Sequence, residues 1–532
     1  MSSRLLNPWA LLCAALFTVL GLLFVNYAGL QTDEALYAAS IFRGDRGSFG
    51  FQIAKHPIPL MFFSYLGALK TWIWAPIFKL KFASHLLVRI PALLLAAFTI
   101  LLSWRLLERI HSRRAAWVGS LLLATDTMYL LTSVFDWGPV VLQHLLMVAA
   151  MLLAVRWYQQ DAPGSLAAAA FCCGLAMWDK ALFLWILGGF ILAALLFARA
   201  LAKKASWRAT RLAAAGLVLG ALPLIAFNLA PKTRFATLRN NSTFNTNELS
   251  SKAALLRVSL SGSLLFGYLV NESSLPMDPK PARAWHEKAS YALHAITGEH
   301  RANLLQPAML FAFLLLPMLW RTPARCPLLF LLIVTAVAWL QMGLTVGAGG
   351  SAHHAVLLWP LPHFFLAIAL AQASMWRHGG ELALFGIVAL LVASNLLVTN
   401  QYFYQLVSNG PHGCWTDAIF RLHDGLVGMK AEQIMLTDWG MTDNLTVLSR
   451  GKLPVRVVSY PFQPGAEQFA MPRAVWVQHA PGFEEFPGVN SALRLAAKKE
   501  GFIDMTDAVY PDSNGRLVFR VFHFERGNRL SQ

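Results

Sequence analysis

Two adjacent carboxylates, Asp33 and Glu34, follow the first apolar stretch of the chain. Paired carboxylates at a membrane surface repel each other and are costly to desolvate, so they need a cation, a metal or a substrate hydroxyl as a partner. The same position also suits a helix N-cap, because acidic side chains stabilise the first turn of a helix. A chemical role and a capping role are therefore both open for this pair.

Two short polar turns between apolar segments carry further candidates. Asp136 opens the turn 136–139, where Pro139 favours a capping role that can coexist with a chemical one. Lys180 closes the turn 178–180 and places a cation at a membrane surface, where a lipid phosphate is its natural partner. The alternative for Lys180 is a side chain that extends to bulk headgroups without a specific ligand.

A glycine-rich stretch, 347–354, opens a late apolar segment and ends in His353 and His354. Glycines let the backbone approach a ligand, and a helix N-terminus presents unpaired N–H groups to an anion. Adjacent histidines project about 100° apart from a helix, so these two are poor joint ligands for one metal ion. Lys55 and His56 add a cation and a further histidine to the early loop.

The composition indicates that lipid is the main solvent of the chain. Of 532 residues, 57% are hydrophobic and only 13% are charged, which is too little polar surface for a water-soluble globule. The net charge of +17 does not indicate nucleic-acid binding, because the cations lie mostly at the ends of apolar segments. About eleven segments have a length suited to a membrane span. They lie near 9–29, 84–107, 115–134, 139–157, 164–178, 181–199, 211–230, 304–320, 327–346, 354–374 and 381–398.

Lysine and arginine predict the orientation of these spans. They concentrate in alternate loops, which the positive-inside rule places in the cytoplasm. The other loops, including 30–83 and 231–303, then face the opposite side together with every candidate residue. We predict a multi-pass protein of a bacterial inner membrane, in which residues 1–398 form the membrane module and 399–532 a periplasmic domain.

After about residue 399 the apolar runs shorten to strand length and charges are interspersed. Short β-rich runs lie at 433–437, 474–478 and 517–524, and helical spacing covers 417–429 and 490–500. The predicted fold class is therefore mainly α, a polytopic transmembrane helical bundle with a small C-terminal periplasmic α/β domain.

Carboxylates, cations and a glycine-rich backbone on one membrane face fit group transfer from a lipid phosphate. The chain resembles the GT-C class of membrane glycosyltransferases, specifically the family 39-like group of protein O-mannosyltransferases, aminoarabinose transferases and rhizobial lipopolysaccharide transferases. The resemblance covers about the first 400 residues. It rests on the Asp-Glu pair, the acidic turn at Asp136, the run from Gly174 to Lys180, and the glycine- and histidine-rich stretch followed by Leu358–Pro362.

This resemblance implies a polyprenyl-phosphate-linked sugar as donor and a hydroxyl of a lipid, glycan or protein as acceptor, on the outer membrane face. Asp33 matches the general base that deprotonates the acceptor and allows displacement with inversion. Glu34 would assist by orienting the acceptor or by binding a divalent metal ion, and Asp136 would be a second acidic group near the reacting centre. The departing phosphate would be held by Lys55, His56, Lys180, His353 and His354.

Two other functions fit the same placement of charges. A transporter or flippase of lipid-linked saccharides also needs cations and carboxylates, and a non-catalytic envelope assembly protein would use the C-terminal domain to dock a partner. Transporters place ionisable groups near the membrane midplane, whereas here they cluster at span ends on one side. The preferred prediction is an enzyme, a hexosyl- or pentosyltransferase surrounded by membrane lipids and without a nucleic-acid partner.

Overall fold

The computed structural model describes residues 7–43, 47–53, 56–136, 138–241, 243–272, 280–376, 378–459, 462 and 466–527. Two predicted phosphate contacts, Lys55 and the side chain of His56, lie outside the described part of the chain.

Helices dominate the chain up to Ser408. They are α1 (Pro8–Leu22), α2 (Thr32–Phe42), α3 (Leu69–Trp74), α4 (Ser84–Ile110), α5 (Arg113–Thr125), α6 (Thr127–Val134), α7 (Val140–Gln160), α8 (Pro163–Asp179), α9 (Leu184–Leu196), α10 (Ala198–Ala202), α11 (Trp207–Leu229), α12 (Ala236–Asn241), α13 (Leu249–Leu260), α14 (Trp285–Thr297), α15 (Leu305–Leu319), α16 (Arg325–Leu344), α17 (Ala352–Ala355), α18 (Leu361–Ala373) and α19 (Gly380–Ser408).

Among the described residues, six helical segments are long and apolar enough to cross a membrane, and three shorter apolar helices accompany them. The chain is therefore a multi-pass membrane protein. Each of the predicted spans coincides with a helix or a pair of helices, while their number stays a prediction. The last of them, α19, continues to Ser408, beyond the predicted domain boundary at 398.

The predicted span 115–134 is not one helix but two, α5 and α6, which meet at Asp126. Asp126 leaves the helical conformation and caps α6, since its Oδ1 accepts a hydrogen bond from the Tyr129 backbone N–H at 2.6 Å. The same carboxylate contacts Trp359 Nε1 at 3.0 Å and His363 Nε2 at 3.1 Å. A buried polar network thus interrupts the helix and ties it to α18.

The early loop folds into α2, α3 and a small antiparallel sheet. The sheet has the order β1 (Phe49–Ile53), β2 (His56–Phe63) and β3 (Leu66–Gly67). Its last strand lies against the end of α8, where Ala181 N–H donates to the Tyr65 carbonyl at 2.8 Å. A Cβ at Gly67 would lie 1.8 Å from the Trp178 carbonyl oxygen, so only glycine fits there. The turn that carries Lys180 is therefore held by the early loop.

The C-terminal part is an α/β domain, in agreement with the predicted strands and helices. Its five-stranded sheet has the order β5-β4-β6-β8-β7, in which β5, β4 and β6 are parallel and β8 and β7 antiparallel. The elements are α20 (Ala418–Met429), β4 (Gln433–Leu436), α21 (Thr442–Ser449), β5 (Val455–Val457), α22 (Ala466–Phe469), β6 (Ala474–His479), α23 (Val489–Lys499), β7 (Phe502–Pro511) and β8 (Leu517–Arg526).

This domain packs directly on the loop that leads into α2. Gly29 N–H donates to the Trp415 carbonyl at 2.7 Å, and Asn444 Nδ2 donates to the Leu30 carbonyl at 2.6 Å. A Cβ at Gly29 would lie 1.8 Å from the Thr416 carbonyl oxygen. The start of α2 is thus fixed between α1 and the C-terminal domain.

Candidate active site

Asp33 lies in the first turn of α2 with a carboxylate that is not used as the helix cap. Gln31 is the N-cap, because its Oε1 accepts hydrogen bonds from the backbone N–H groups of Asp33 at 2.6 Å and Glu34 at 3.2 Å. The half-buried Asp33 carboxylate forms no ion pair with the described residues. The capping role considered for Asp33 therefore belongs to Gln31, and Asp33 remains available for chemistry.

The surroundings of Asp33 suit a proton acceptor. Burial raises the pKa of Asp33 above its ordinary value, while the Gln31 side chain and the Lys180 charge oppose that shift. A raised pKa makes a carboxylate a stronger base near neutral pH. Asp33 therefore has both the accessible carboxylate and the basicity that proton abstraction requires.

Glu34 has a different environment. Arg89 Nε donates to its Oε1 at 2.7 Å and Arg89 Nη2 to its Oε2 at 2.9 Å, and both side chains are fully buried. The remaining guanidinium N–H groups donate to the carbonyls of Val25, Ala28 and Gly29. This buried pair anchors α2 to α4 and to the segment that follows α1. It argues against the metal-ligand and acceptor-orienting roles predicted for Glu34.

Asp136 is also paired. Lys70 Nζ lies 2.9 Å from its Oδ2, and its Oδ1 accepts a hydrogen bond from the Val141 N–H at 3.2 Å. The carboxylate thus caps the start of α7 and neutralises a buried lysine. The structure supports the capping role and places Asp136 beside the site rather than free within it.

Lys180 is the most unusual cation of the site. Its side chain is buried, and its Nζ forms neither a hydrogen bond nor an ion pair with the described residues. The Nζ lies beside Gly138, 3.8 Å from the position that a Cβ would take there. Burial lowers the pKa of Lys180 to about 8, although the charges of Asp33, Asp179 and Asp136 act in the opposite direction. A buried, unpaired ammonium indicates a site for an anion.

The glycine-rich turn contributes the two histidines. Gly347 and Gly349 have φ of 71° and 83°, a conformation that favours glycine. The Gly349 N–H donates to His354 Nδ1 at 3.1 Å, and the ring centroids of His353 and His354 are 4.2 Å apart. The Lys180 charge acts on both rings, so the structure brings these three residues together.

Several contributing residues were not among the predicted ones. Arg89 and Lys70 neutralise the predicted acids, and Gln143 Nε2 holds Asp179 at 3.0 Å. Tyr37 Oη is buried without a hydrogen-bond partner among the described residues, and Lys70 Nζ lies 5.0 Å from the centroid of its ring. Arg89 alone had a clear sequence signal, since a charge inside an apolar span needs a buried partner.

No group of three or more His, Cys, Asp and Glu residues within the described ranges is arranged to hold a metal ion. Glu34, the residue predicted to bind a metal ion, is paired with Arg89 instead. The predicted divalent metal ion thus lacks a ligand set in the part of the chain that the structure describes.

The fold is that of known membrane glycosyltransferases. No protein-family description and no curated protein matches the sequence. ArnT from Cupriavidus metallidurans bound to undecaprenyl phosphate matches with a TM-score of 0.58 at 13% identity, over 96% of this chain and 98% of that one. The Archaeoglobus fulgidus oligosaccharyltransferase in complex with Zn and sulfate matches with a TM-score of 0.51 at 14% identity, over 96% of this chain and 73% of that one. The predicted resemblance to the GT-C class is confirmed at the level of the fold.

Proposed function

We propose that the chain transfers a sugar from a polyprenyl-phosphate-linked donor to an acceptor hydroxyl at the periplasmic face of a bacterial inner membrane. The observation that carries this proposal is that one site contains both a carboxylate and an ammonium group without an ion-pair partner among the described residues. An accessible carboxylate, Asp33, and a buried, unpaired ammonium, Lys180, lie close enough to influence each other's charge. A base for the acceptor and a cation for the leaving phosphate are what such a transfer needs.

The proposed reaction is a direct displacement. Asp33 takes the proton of the acceptor hydroxyl while the acceptor oxygen bonds to the anomeric carbon of the sugar. The bond between that carbon and the phosphate oxygen breaks, and its electron pair stays on the polyprenyl phosphate. Lys180 then stabilises the extra negative charge, with His353 and His354 at the same end of the site. Attack from the face opposite the phosphate inverts the anomeric configuration.

The remaining predicted residues take supporting places in this scheme. Glu34 and Asp136 hold the site together through Arg89 and Lys70. No step is assigned to a metal ion, because the described residues offer no ligand set for one. Lys55 and His56 stay predicted contacts of the phosphate.

The general base is tested with Asp33→Asn in the purified full chain. We expect transfer from a radiolabelled polyprenyl-phosphate sugar to fall by about 10²–10⁴-fold, because the amide cannot accept the proton. Binding of polyprenyl phosphate should persist, since Lys180 is intact. The matched control is Asp424→Asn, whose side chain is 82% exposed in the C-terminal domain.

Full activity of Asp33→Asn would remove Asp33 from the mechanism. Movement of an uncleaved donor across vesicles by the wild-type chain, without release of polyprenyl phosphate, would instead identify a flippase. The same assay thus separates the two readings of this fold.

A further inference from the structure

The carboxyl edge of the parallel strands in the C-terminal domain is a candidate ligand site. After β4 the chain turns to β5 on one side, whereas β6 lies on the other side of β4. Ligands of open α/β sheets bind at such a switch point, outside the carboxyl ends of the strands. Asp438 follows β4 and Glu485 lies in the loop after β6, so both belong to this edge.

A single carboxylate makes this edge rigid. Asp438 Oδ2 contacts His479 Nδ1 at 2.8 Å and accepts a hydrogen bond from the Glu485 N–H at 3.0 Å. Its Oδ1 accepts hydrogen bonds from the N–H groups of Trp439 at 2.8 Å and Phe486 at 3.2 Å. The Asp438 carboxylate thus fixes the backbone of two residues with large aromatic side chains. Trp439 is 40% exposed and Phe486 is 47% exposed.

This edge lies close to the start of α2, which carries Asp33. Gly440, next to Trp439, lies within 3.8 Å of Thr32 Oγ1 when a Cβ is placed on it. The charges of Asp33 and Glu485 both act on Tyr268 and Cys414, so these two residues lie near both carboxylates. Tyr268 is 43% exposed and adds a third aromatic side chain.

The chemistry of this edge favours a neutral, polyhydroxylated molecule. Flat aromatic faces pack against the C–H surface of a sugar ring, and carboxylates accept hydrogen bonds from its hydroxyls. Glu485 forms no ion pair with the described residues, and a phosphorylated or otherwise anionic group would meet the like charges of Glu485 and Asp33. This edge therefore differs in charge from the Lys180 end of the site.

We propose that the C-terminal domain binds the acceptor, that the acceptor is a saccharide without charged groups at its reacting end, and that Trp439 and Glu485 are its main contacts. This inference rests on the proposed transfer reaction and adds the class of acceptor to it. In this arrangement Asp33 receives the hydroxyl proton from a sugar held between the domain and the membrane module.

The test uses the full chain in lipid nanodiscs with its polyprenyl-phosphate sugar donor and the neutral oligosaccharide fraction released from the envelope of cells that carry the protein. We expect Trp439→Ala and Glu485→Gln each to raise the acceptor KM by about tenfold or more, equal to the loss of about 1.4 kcal/mol of binding. The donor KM should not change. The matched controls are Leu495→Ala and Glu500→Gln, exposed positions of the same domain.

The outcomes separate the two proposals. If the wild-type chain releases no polyprenyl phosphate, the transfer reaction itself is wrong. If it transfers the sugar but both variants keep the wild-type acceptor KM, the binding surface is wrong. Transfer to a tryptic digest of exported proteins or to a phosphorylated oligosaccharide in preference to the neutral fraction would overturn the acceptor class.

Discussion

At the scale of single residues, the candidate site separates paired charges from unpaired ones. Glu34 and Asp136 are acids with a dedicated cation, whereas Asp33 and Lys180 form no ion pair with the described residues. Charges that are already neutralised hold a structure together, and the others are left for a ligand. This difference is the basis for choosing Asp33 and Lys180 over their neighbours.

The pH dependence of transfer should reflect the ionisation of both Asp33 and Lys180. Asp33 acts as a base only when ionised, so activity is lost as pH falls through its raised pKa. Lys180 acts only when protonated, so activity is lost as pH rises through its pKa of about 8. We expect a bell-shaped profile of kcat/KM, measured with one donor at constant ionic strength.

Lys180→Arg provides the matched variant for the alkaline limb. Arginine stays protonated throughout this range, so the limb should move to higher pH or disappear even where the rate is reduced. An unchanged alkaline limb in this variant would assign it to another group.

The Glu34–Arg89 pair should govern stability rather than catalysis. Arg89→Met leaves the Glu34 carboxylate buried without its cation, which typically costs about 3–5 kcal/mol. We expect a lower thermal unfolding temperature in detergent and poor expression. The exposed Arg473→Met serves as control, because its partner Glu432 is solvated.

The double variant Arg89→Met with Glu34→Leu should recover much of that loss, since no buried charge remains. An Arg89→Met variant as stable as the wild-type chain, or a double variant no more stable than the single one, would contradict the anchoring role.

Residue types alone could indicate these candidates but not their pairing. The Asp-Glu sequence places two acids side by side, and only the fold shows that Glu34 turns inward to Arg89, 55 residues away. Gln31 is a rarer helix cap than the neighbouring acid, so the sequence pattern favoured Asp33 for that role. A long-range contact decided the role of Glu34, and a local side-chain hydrogen bond decided the helix cap.

At the scale of elements, helix α8 positions Lys180 through close packing on α11. A Cβ at Gly220 would lie 2.4 Å from the Phe171 carbonyl oxygen, and one at Gly174 would lie 2.4 Å from the Leu217 carbonyl oxygen. Small residues let two membrane helices approach to backbone contact. The run from Gly174 to Lys180 therefore combines a packing residue with a candidate ligand of the phosphate.

Gly220→Val should separate α8 from α11, because the new side chain has no space at this crossing. We expect a lower unfolding temperature, with a cost of at least about 1–3 kcal/mol, and weaker binding of polyprenyl phosphate. Gly386→Val is the control, since no atom lies within 4 Å of a Cβ at that position in α19. Equal stability of the two variants would show that the crossing tolerates a side chain.

Hydrophobic patterns located the helices well and the breaks between them poorly. The predicted span 115–134 was apolar enough to be read as continuous, yet Asp126 interrupts it by capping α6. The sequence did not indicate the small sheet of the early loop, because Pro57 and Pro59 have no backbone N–H to donate to a neighbouring strand. The break at Asp126 depends on Trp359 and His363, far away in the sequence, whereas the sheet pairs strands that are close neighbours along the chain.

At the scale of the whole molecule, the proposed reaction requires one topology. Position 247, in the loop before α13, and position 452, in the C-terminal domain, must share the compartment of the site, whereas position 203, between α10 and α11, must face the cytoplasm. We expect Asn247→Cys and Lys452→Cys to react with a membrane-impermeant maleimide in spheroplasts.

Lys203→Cys should react only after the membrane is permeabilised, with native cysteines replaced by serine as background. Labelling of positions 247 and 203 from the same side would remove the common site.

The close contact at Gly29 also limits how the C-terminal domain can move relative to α2. The Gly29 backbone touches the chain at Trp415 and Thr416 so closely that not even a methyl group fits between them. A hinge between the C-terminal domain and α2 would need space at Gly29, and none is present. In the proposed reaction, the donor and the acceptor would therefore reach Asp33 without a hinge motion of the C-terminal domain at Gly29.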